Sequence, residues 1–238
     1  MNKDMGRDLE MENIIRTEKL CKSFKVGTND VPILEDVEIA IKTGEFVSIM
    51  GPSGSGKSTL LYLLGGIDEP TSGRVFLQEK DINRMKDKEK SVLRRKSMGF
   101  VFQFYNLVQN LTVEENIMLP VTMDKKKPAD YKVQLDEILE IVGLSERRKY
   151  TPRELSGGQQ QRVAIARALI LSPALILADE PIGNLDSKTG TEIMELFYRI
   201  NKEKGITIVQ VTHSEEAAAY GNRLIRMKDG KVLEPVIM

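Results

Sequence analysis

Residues 46–66, FVSIMGPSGSGKSTLLYLLGG, restrict this chain to few architectures. FVSIM is a short run, apolar but for Ser48, the pattern of a strand buried on both faces of a parallel sheet. Gly51–Thr59, GPSGSGKST, follows at once and satisfies G-x-x-x-x-G-K-[ST]. The next stretch is helix-like and ends on Gly65 and Gly66, which suit a C-cap. Strand, glycine-rich loop and helix in this order make a phosphate cradle. Glycines let backbone N–H groups turn inward, and the helix N-terminus adds partial positive charge. Lys57 reaches the β- and γ-phosphates of a nucleotide, and the Ser58 hydroxyl reaches its metal. The flanking strand and helix exclude the plainer reading, a Gly/Ser-rich turn with an accidental lysine.

The rest of the chain supplies partners for that strand. IIRTEKLCKSF alternates loosely as a strand, VEIAI reads as a second one, and Lys42–Glu45 as the turn after it. GRVFL, ALILADE and ITIVQVT are further strands, and residues 187–203 read as a helix. Asp229-Gly230 sits between two short strands as a hairpin turn. Strands alternating with helices predict an α/β fold with a mostly parallel, layered sheet. After Phe102 the pattern changes. Thr112 and Glu115 form a capping box, and Leu135, Ile138, Leu139 and Val142 mark one face of a helix that stops at Gly143. Residues from about 104 to 160 read as a helical subdomain inserted in the α/β core. Residues 1–13 are polar and acidic and read as a disordered tail, with no signal-peptide pattern, leaving 14–238 as the folded domain.

Composition narrows the function. Lys plus Arg and Asp plus Glu both number 35, so the chain lacks the basic excess that nucleic-acid binding by phosphate neutralisation needs. Cys21 is the single cysteine, so no disulfide can form within the chain, which suits a reducing cytoplasm. No apolar run approaches the roughly 20 residues that span a bilayer.

A phosphate cradle needs a metal-holding acid, and LILADE ends a buried strand on Asp179 and Glu180. Asp179 is the candidate to hold Mg²⁺, directly or through water, and Glu180 the candidate to orient and deprotonate an attacking water. His213, the one histidine, ends the ITIVQVT strand. By itself it reads as a hydrogen-bonded structural residue. LSGGQQQRVAIARAL places Ser156 and two glycines at a helix start, a second anion-binding surface remote in sequence from the first.

With these motifs in this order, nearly the whole chain from about residue 14 resembles the ATP-binding cassette family, the nucleotide-binding subunits of ABC transporters. GPSGSGKS resembles the Walker A loop, LSGGQ the ABC signature, and LILADE the Walker B strand. The resemblance implies a P-loop NTPase core with an N-terminal antiparallel β subdomain and an inserted α-helical subdomain. It implies ATP contacts from Gly51, Pro52, Ser53, Gly54, Ser55, Gly56, Lys57, Ser58 and Thr59, and a Q-loop role for Gln103 in sensing Mg²⁺ and the γ-phosphate. Ser156, Gly157, Gly158 and Gln159 would cover the ATP of a second subunit, with Asp186 in the D-loop. Glu180 would be the catalytic glutamate and His213 the switch histidine beside the γ-phosphate. Metal contacts would come from Ser58, Gln103 and Asp179. Phe24 stands where the family more often has Tyr against adenine, and Ile182 where close relatives usually have Thr.

The family's mechanism implies two chains that sandwich two ATP molecules head to tail, closing on ATP and opening on hydrolysis to drive a separate integral-membrane permease. The protein would then sit on the inner face of the cell membrane, with no nucleic-acid partner. FVFQFYNLVQNLTVEENIMLP and PIGNLDS look like the branch of lipoprotein-releasing, macrolide-export and antimicrobial-peptide-resistance ATPases. A sister reading is the cell-division ATPase that regulates wall hydrolases without transport. DNA-repair relatives insert long coiled coils between Walker A and signature, and the interval from Thr59 to Leu155 is too short and lacks heptads. Ribosome-associated relatives usually carry two cassettes, and this chain has room for one.

Overall fold

The structure is a computed structural model that describes residues 12–233 and 236–237. The tail expected over residues 1–13 lies almost wholly outside that range, and Asn13 already opens the first strand. Strands β1 (Asn13–Val26), β2 (Asn29–Val37), β3 (Ala40–Lys42), β5 (Ser72–Leu77) and β6 (Lys80–Asp81) form an antiparallel sheet in the order β2-β1-β5-β6, with β3 also on β1. The second sheet contains β4 (Phe46–Met50), β7 (Met98–Phe102), β8 (Leu175–Asp179), β9 (Thr207–Val211), β10 (Arg223–Lys228) and β11 (Lys231–Val232). Its order is β11-β10-β4-β9-β8-β7, with β12 (Val236–Ile237) also on β10. The run β10-β4-β9-β8-β7 is parallel throughout.

The apolar runs go where their pattern requires. All five residues of β4, β8 and β9 are buried, because layers cover both faces of the parallel sheet. One face packs on α1 (Lys57–Leu64) and the antiparallel sheet through Leu60, Leu64, Val75 and Leu77. The other packs on α3 (Val113–Met123), α4 (Lys132–Ile141), α5 (Gly157–Leu169) and α6 (Ser187–Lys204) through Ile117, Leu139, Val163 and Phe197. The inserted helices therefore share one hydrophobic core with the sheet. Each such side chain, buried, contributes about 1.5–3 kcal/mol.

VEIAI, expected as one strand, is split: Val37 ends β2 and Ala40 opens β3. The buried Thr17 hydroxyl spans the break, donating to the Val37 carbonyl and accepting from the Ile39 N–H, both at 2.9 Å. β2 itself and α2 (Asp87–Ser97) carry too weak a pattern to be read from the sequence. The caps are where the sequence places them. The Thr112–Glu115 box opens α3, and Asp229 and Gly230, both at positive φ, turn β10 into β11.

Asn116, fully buried on α3, holds the 108–112 loop onto the helical layer. Its Oδ1 accepts from the Val108 N–H at 2.8 Å, and its Nδ2 contacts the carbonyls of Val108, Leu111 and Thr112 at 3.0 Å. Asn116→Ala strands the Val108 N–H and the Leu111 carbonyl, while the Val108 and Thr112 carbonyls keep the N–H groups of Leu111 and Asn116, and the expected loss is about 3 kcal/mol. A urea melt checks it: the midpoint falls while the slope stays unchanged. A loss below about 1 kcal/mol would mean that water replaces the amide.

Candidate nucleotide site

In an open parallel sheet, ligands bind beyond the carboxyl ends of the strands. Here the register puts four such ends on one level: Phe102 pairs with Asp179, Asp179 with Val211, and Val211 with Ile49. The segments that leave the sheet there carry Gln103, Glu180, His213 and the glycine-rich loop. Four motifs scattered over the sequence thus meet at one edge.

The loop after β4 curls back on itself, its Ser55 N–H donating to the Pro52 carbonyl at 3.2 Å. Gly56 has φ 94°, and a Cβ there would lie 2.7 Å from Leu34 Cδ2 and 2.9 Å from the Ile33 carbonyl oxygen, so only glycine fits. Lys57 is buried, and its ammonium donates to the carbonyls of Gly51 (2.9 Å) and Pro52 (2.8 Å). One of its three hydrogens is left for an anion. The Ser55 hydroxyl is also buried and has no partner, a spare donor within the same loop. A cleft of ≈ 440 Å³ opens over Ser53, Gly54 and residues 56–59, with Ile33, Glu180 and His213 completing its wall.

Asp179 is held at both oxygens. Ser58 donates to Oδ1 at 2.8 Å, and Tyr62, one turn along α1, donates to Oδ2 at 2.7 Å. Burial, reinforced by that hydrogen bond, pushes the Tyr62 phenol up to about 12, so it stays a donor at any physiological pH. A hydroxyl beside a carboxylate is a hard-oxygen donor set, the kind Mg²⁺ takes with few protein ligands and several waters.

Strand alternation alone would send Asp179 and Glu180 to opposite faces. Glu180 escapes this by adopting φ 44°, a left-handed conformation that costs about 1–2 kcal/mol. Its N–H still pairs with the Val211 carbonyl at 2.9 Å, while its carboxylate turns into the cleft with Oε2 3.2 Å from His213 Nδ1. Gly183 clears space beside it: a Cβ there would stand 2.8 Å from Gln103 Nε2 and 3.2 Å from Glu180 Oε2. Gln103 and Asn184 are paired, Nε2 donating to Asn184 Oδ1 at 3.3 Å and Asn184 Nδ2 to the Gln103 carbonyl at 3.2 Å.

The other sequence-selected residues lie apart from the cleft wall. Phe24 is exposed on β1, with the Lys22 ammonium 4.7 Å from its ring centroid. It pairs with Val31, two residues along β2 from Ile33. Ser156 caps α5, its Oγ accepting from the Gln159 N–H at 3.3 Å while Gln159 Oε1 accepts from the Ser156 N–H at 2.9 Å. Gly157 and Gly158 pack against Tyr105 and Thr189, where a Cβ would come within 2.8 and 2.3 Å. Asp186 caps α6, and hydrogen bonds from the Thr189 hydroxyl and N–H lower its carboxyl pKa.

Three participants escaped the sequence reading. Tyr62 had a usable signal, since it lies four residues after Ser58 and so shares its helix face. Asn184 and the buried Gln161, which donates to the Pro181 carbonyl at 2.6 Å and ties α5 to the segment after Glu180, depend on long-range contacts with no local signature.

A parallel sheet with a glycine-rich phosphate loop after one strand and an acidic pair after another defines a P-loop nucleoside triphosphatase of the α/β class. The sequence model of the family described as ABC transporter matches residues 34–183. The chain belongs to that family and is an ATP-binding, ATP-hydrolysing cassette. It is similar to the lipoprotein-releasing system ATP-binding protein LolD of Aquifex aeolicus, 47% identical over 223 residues that cover 94% of this chain and 97% of the relative. An uncharacterized ABC transporter ATP-binding protein of Thermotoga maritima is 46% identical over 222 residues, covering 93% and 94%. Among solved structures, the dimeric cassette MJ0796 superimposes with a TM-score of 0.87 at 44% identity, covering 94% of this chain and 98% of that one. A second structure of MJ0796, a dimer bound to ADP and Pi after hydrolysis, superimposes with a TM-score of 0.86 at 43% identity, with the same coverage.

Proposed function

We propose that this cassette works as an ATP-closed homodimer that powers a separate membrane permease, and that the cargo is a lipoprotein, drug or antimicrobial peptide moved outward. The observation that carries the dimer is the separation within one chain. The ATP cleft is lined by residues of the glycine-rich loop with Glu180 and His213, while Ser156–Gln159 stand outside it at a helix start where Ser156 is exposed. A helix N-terminus with a hydroxyl and two glycines has anion-binding capacity that its own cleft does not use. Supplied by a second copy, it would cover the γ-phosphate and seal the site. The dimeric MJ0796 structure and the lipoprotein-releasing relatives support this reading.

In the closed site Lys57 and the loop N–H groups bind the β- and γ-phosphates. Phe24 offers a ring face to adenine. Ser58, Asp179 and Gln103 would hold Mg²⁺, which when bound neutralises phosphate charge in the transition state. Glu180 accepts the proton of the attacking water as its oxygen bonds to the γ-phosphorus and the bond to the ADP oxygen breaks. His213, at the end of the neighbouring strand, steadies the Glu180 carboxylate from 3.2 Å. Its side chain is 67% exposed, so His213→Ala costs little stability. The expected result is ATP turnover reduced about a hundredfold with the melting temperature within about 2 °C. A phosphate-release assay checks this, and an unchanged rate would leave His213 a structural residue.

The permease would dock beside Gln103. A groove of ≈ 370 Å³ there is lined by apolar Ile67, Phe100, Phe102 and Met123 together with basic Arg94 and Arg95. Phe104, next to Gln103, and Met123 are strongly exposed. No helix among the described residues is long and apolar enough to cross a membrane. The test is affinity purification of the Glu180→Gln variant with ATP from detergent-solubilised membranes. Recovery of a multi-spanning protein supports the proposal, and its extracytoplasmic domain identifies the cargo class. Recovery of soluble proteins, ribosomes or nucleic acid alone overturns the transport reading and leaves the ATPase chemistry standing.

A further inference from the structure

We propose that Tyr62 is a positioning residue for the metal-holding carboxylate, fixing Asp179 so that its Oδ1 stays on the Ser58 side of the site. The inference rests on the assignment of Asp179 to Mg²⁺. A carboxylate with one free oxygen can rotate about its Cβ–Cγ bond and present either oxygen to a cation. Here the Tyr62 hydroxyl donates to Oδ2 at 2.7 Å and Ser58 donates to Oδ1 at 2.8 Å, so both oxygens are engaged and the plane of the group is set.

The tyrosine is itself restrained. Its ring lies 6.5 Å from that of Phe102, centroid to centroid, at an interplanar angle of 53°, and Phe102 stacks on Phe100 at 5.9 Å. Phe102 is the strand residue in register with Asp179, so donor and acceptor are fixed by the same pair of strands. The hydroxyl therefore meets Oδ2 with little freedom left to lose. If Ser58 and Oδ1 of Asp179 were both to serve a cation, the Ser58 hydrogen would leave Oδ1 and Tyr62 would remain as the side-chain donor on the carboxylate. Such outer partners of metal ligands orient the ligand, and their removal typically costs about 10–100-fold in metal affinity or activity.

Tyr62→Phe removes the hydroxyl and keeps the ring. The experiment uses the full chain loaded with ATP and titrates Mn²⁺ by electron paramagnetic resonance, beside the Mg²⁺ dependence of turnover. Glu180→Gln serves as background in the Mn²⁺ titration, so that ATP persists. The expected result is a Mn²⁺ affinity weakened about tenfold and a matching rise in the Mg²⁺ needed for half-maximal rate. The rate at saturating Mg²⁺ falls much less, ATP binding in EDTA is unchanged, and thermal melting shows the variant folded. A purely structural tyrosine would shift the melt and leave the metal affinity alone, and that outcome overturns the proposal. Asp179→Asn separates the two levels: if it too leaves Mn²⁺ affinity unchanged, the metal assignment fails. If it abolishes Mn²⁺ binding while Tyr62→Phe has no effect on affinity, only the role of Tyr62 fails.

Discussion

Glu180→Gln is expected to bind ATP and hardly hydrolyse it, with turnover reduced about a thousandfold. The amide is close in size to the carboxylate it replaces, so the left-handed turn at Glu180 and the space cleared by Gly183 are kept. What is lost is the proton acceptor. Glu180 Oε2 also stands 3.2 Å from His213 Nδ1, and the substitution exchanges a charged partner of that imidazole for a neutral one. In the proposed cycle ATP favours the closed pair over the open one, so blocking hydrolysis should leave the protein in the closed state. Phosphate release and light scattering on one preparation test both parts: the rate collapses, and the mass doubles with ATP and not with ADP. A rate within about threefold of wild type would remove Glu180 from the chemistry.

Ser156→Arg has the other large expected effect, on assembly. Ser156 is exposed and caps α5 through the Gln159 N–H, so losing the cap costs only about 1 kcal/mol and the fold survives. A long cation at that helix start blocks the surface expected to cover a partner's γ-phosphate. In a Glu180→Gln background, monomer affinity for ATP stays within about twofold, and the ATP-dependent dimer disappears by light scattering. Loss of ATP binding by the monomer would place Ser156 in its own chain's cleft and overturn the action across an interface.

The two substitutions separate functions that one chain holds in different places. Glu180 and His213 belong to the sheet edge, where strand register brings them together. Ser156 belongs to a helix start outside that edge, and in the proposed dimer a second molecule would complete its chemistry. The Tyr62 variant addresses Asp179, the carboxylate proposed to hold the metal, by a readout that neither of the other two should move.

Much of this molecule is local in origin, and that part was legible in the sequence. The four apolar residues of β4, with Ser48 among them, and the glycine-rich loop that follows specify a buried strand and a phosphate cradle without reference to the rest of the chain. The Thr112–Glu115 box, the Gly143 stop and the Asp229-Gly230 turn act within a few residues, so they are found where the pattern puts them. Other features depend on which segments become neighbours. The order β10-β4-β9-β8-β7 is set by packing both faces of the sheet, and no single strand encodes its neighbour. The break in VEIAI follows from β1 pairing with β2 along one stretch and with β3 along another. The turn of Glu180 into the cleft appears only once the 180–183 backbone is placed against Val211. Tyr62 and Asp179 are separated by 117 positions, and their hydrogen bond exists because α1 lies across the end of β8. The sequence alone determined the phosphate chemistry and the motifs that belong to it, because those act through backbone geometry and nearby side chains. The tertiary structure decided which acid faces the cleft, what orients the carboxylate beside Ser58, and that the second anion surface stands outside the first, because each depends on groups that only folding brings within hydrogen-bond reach.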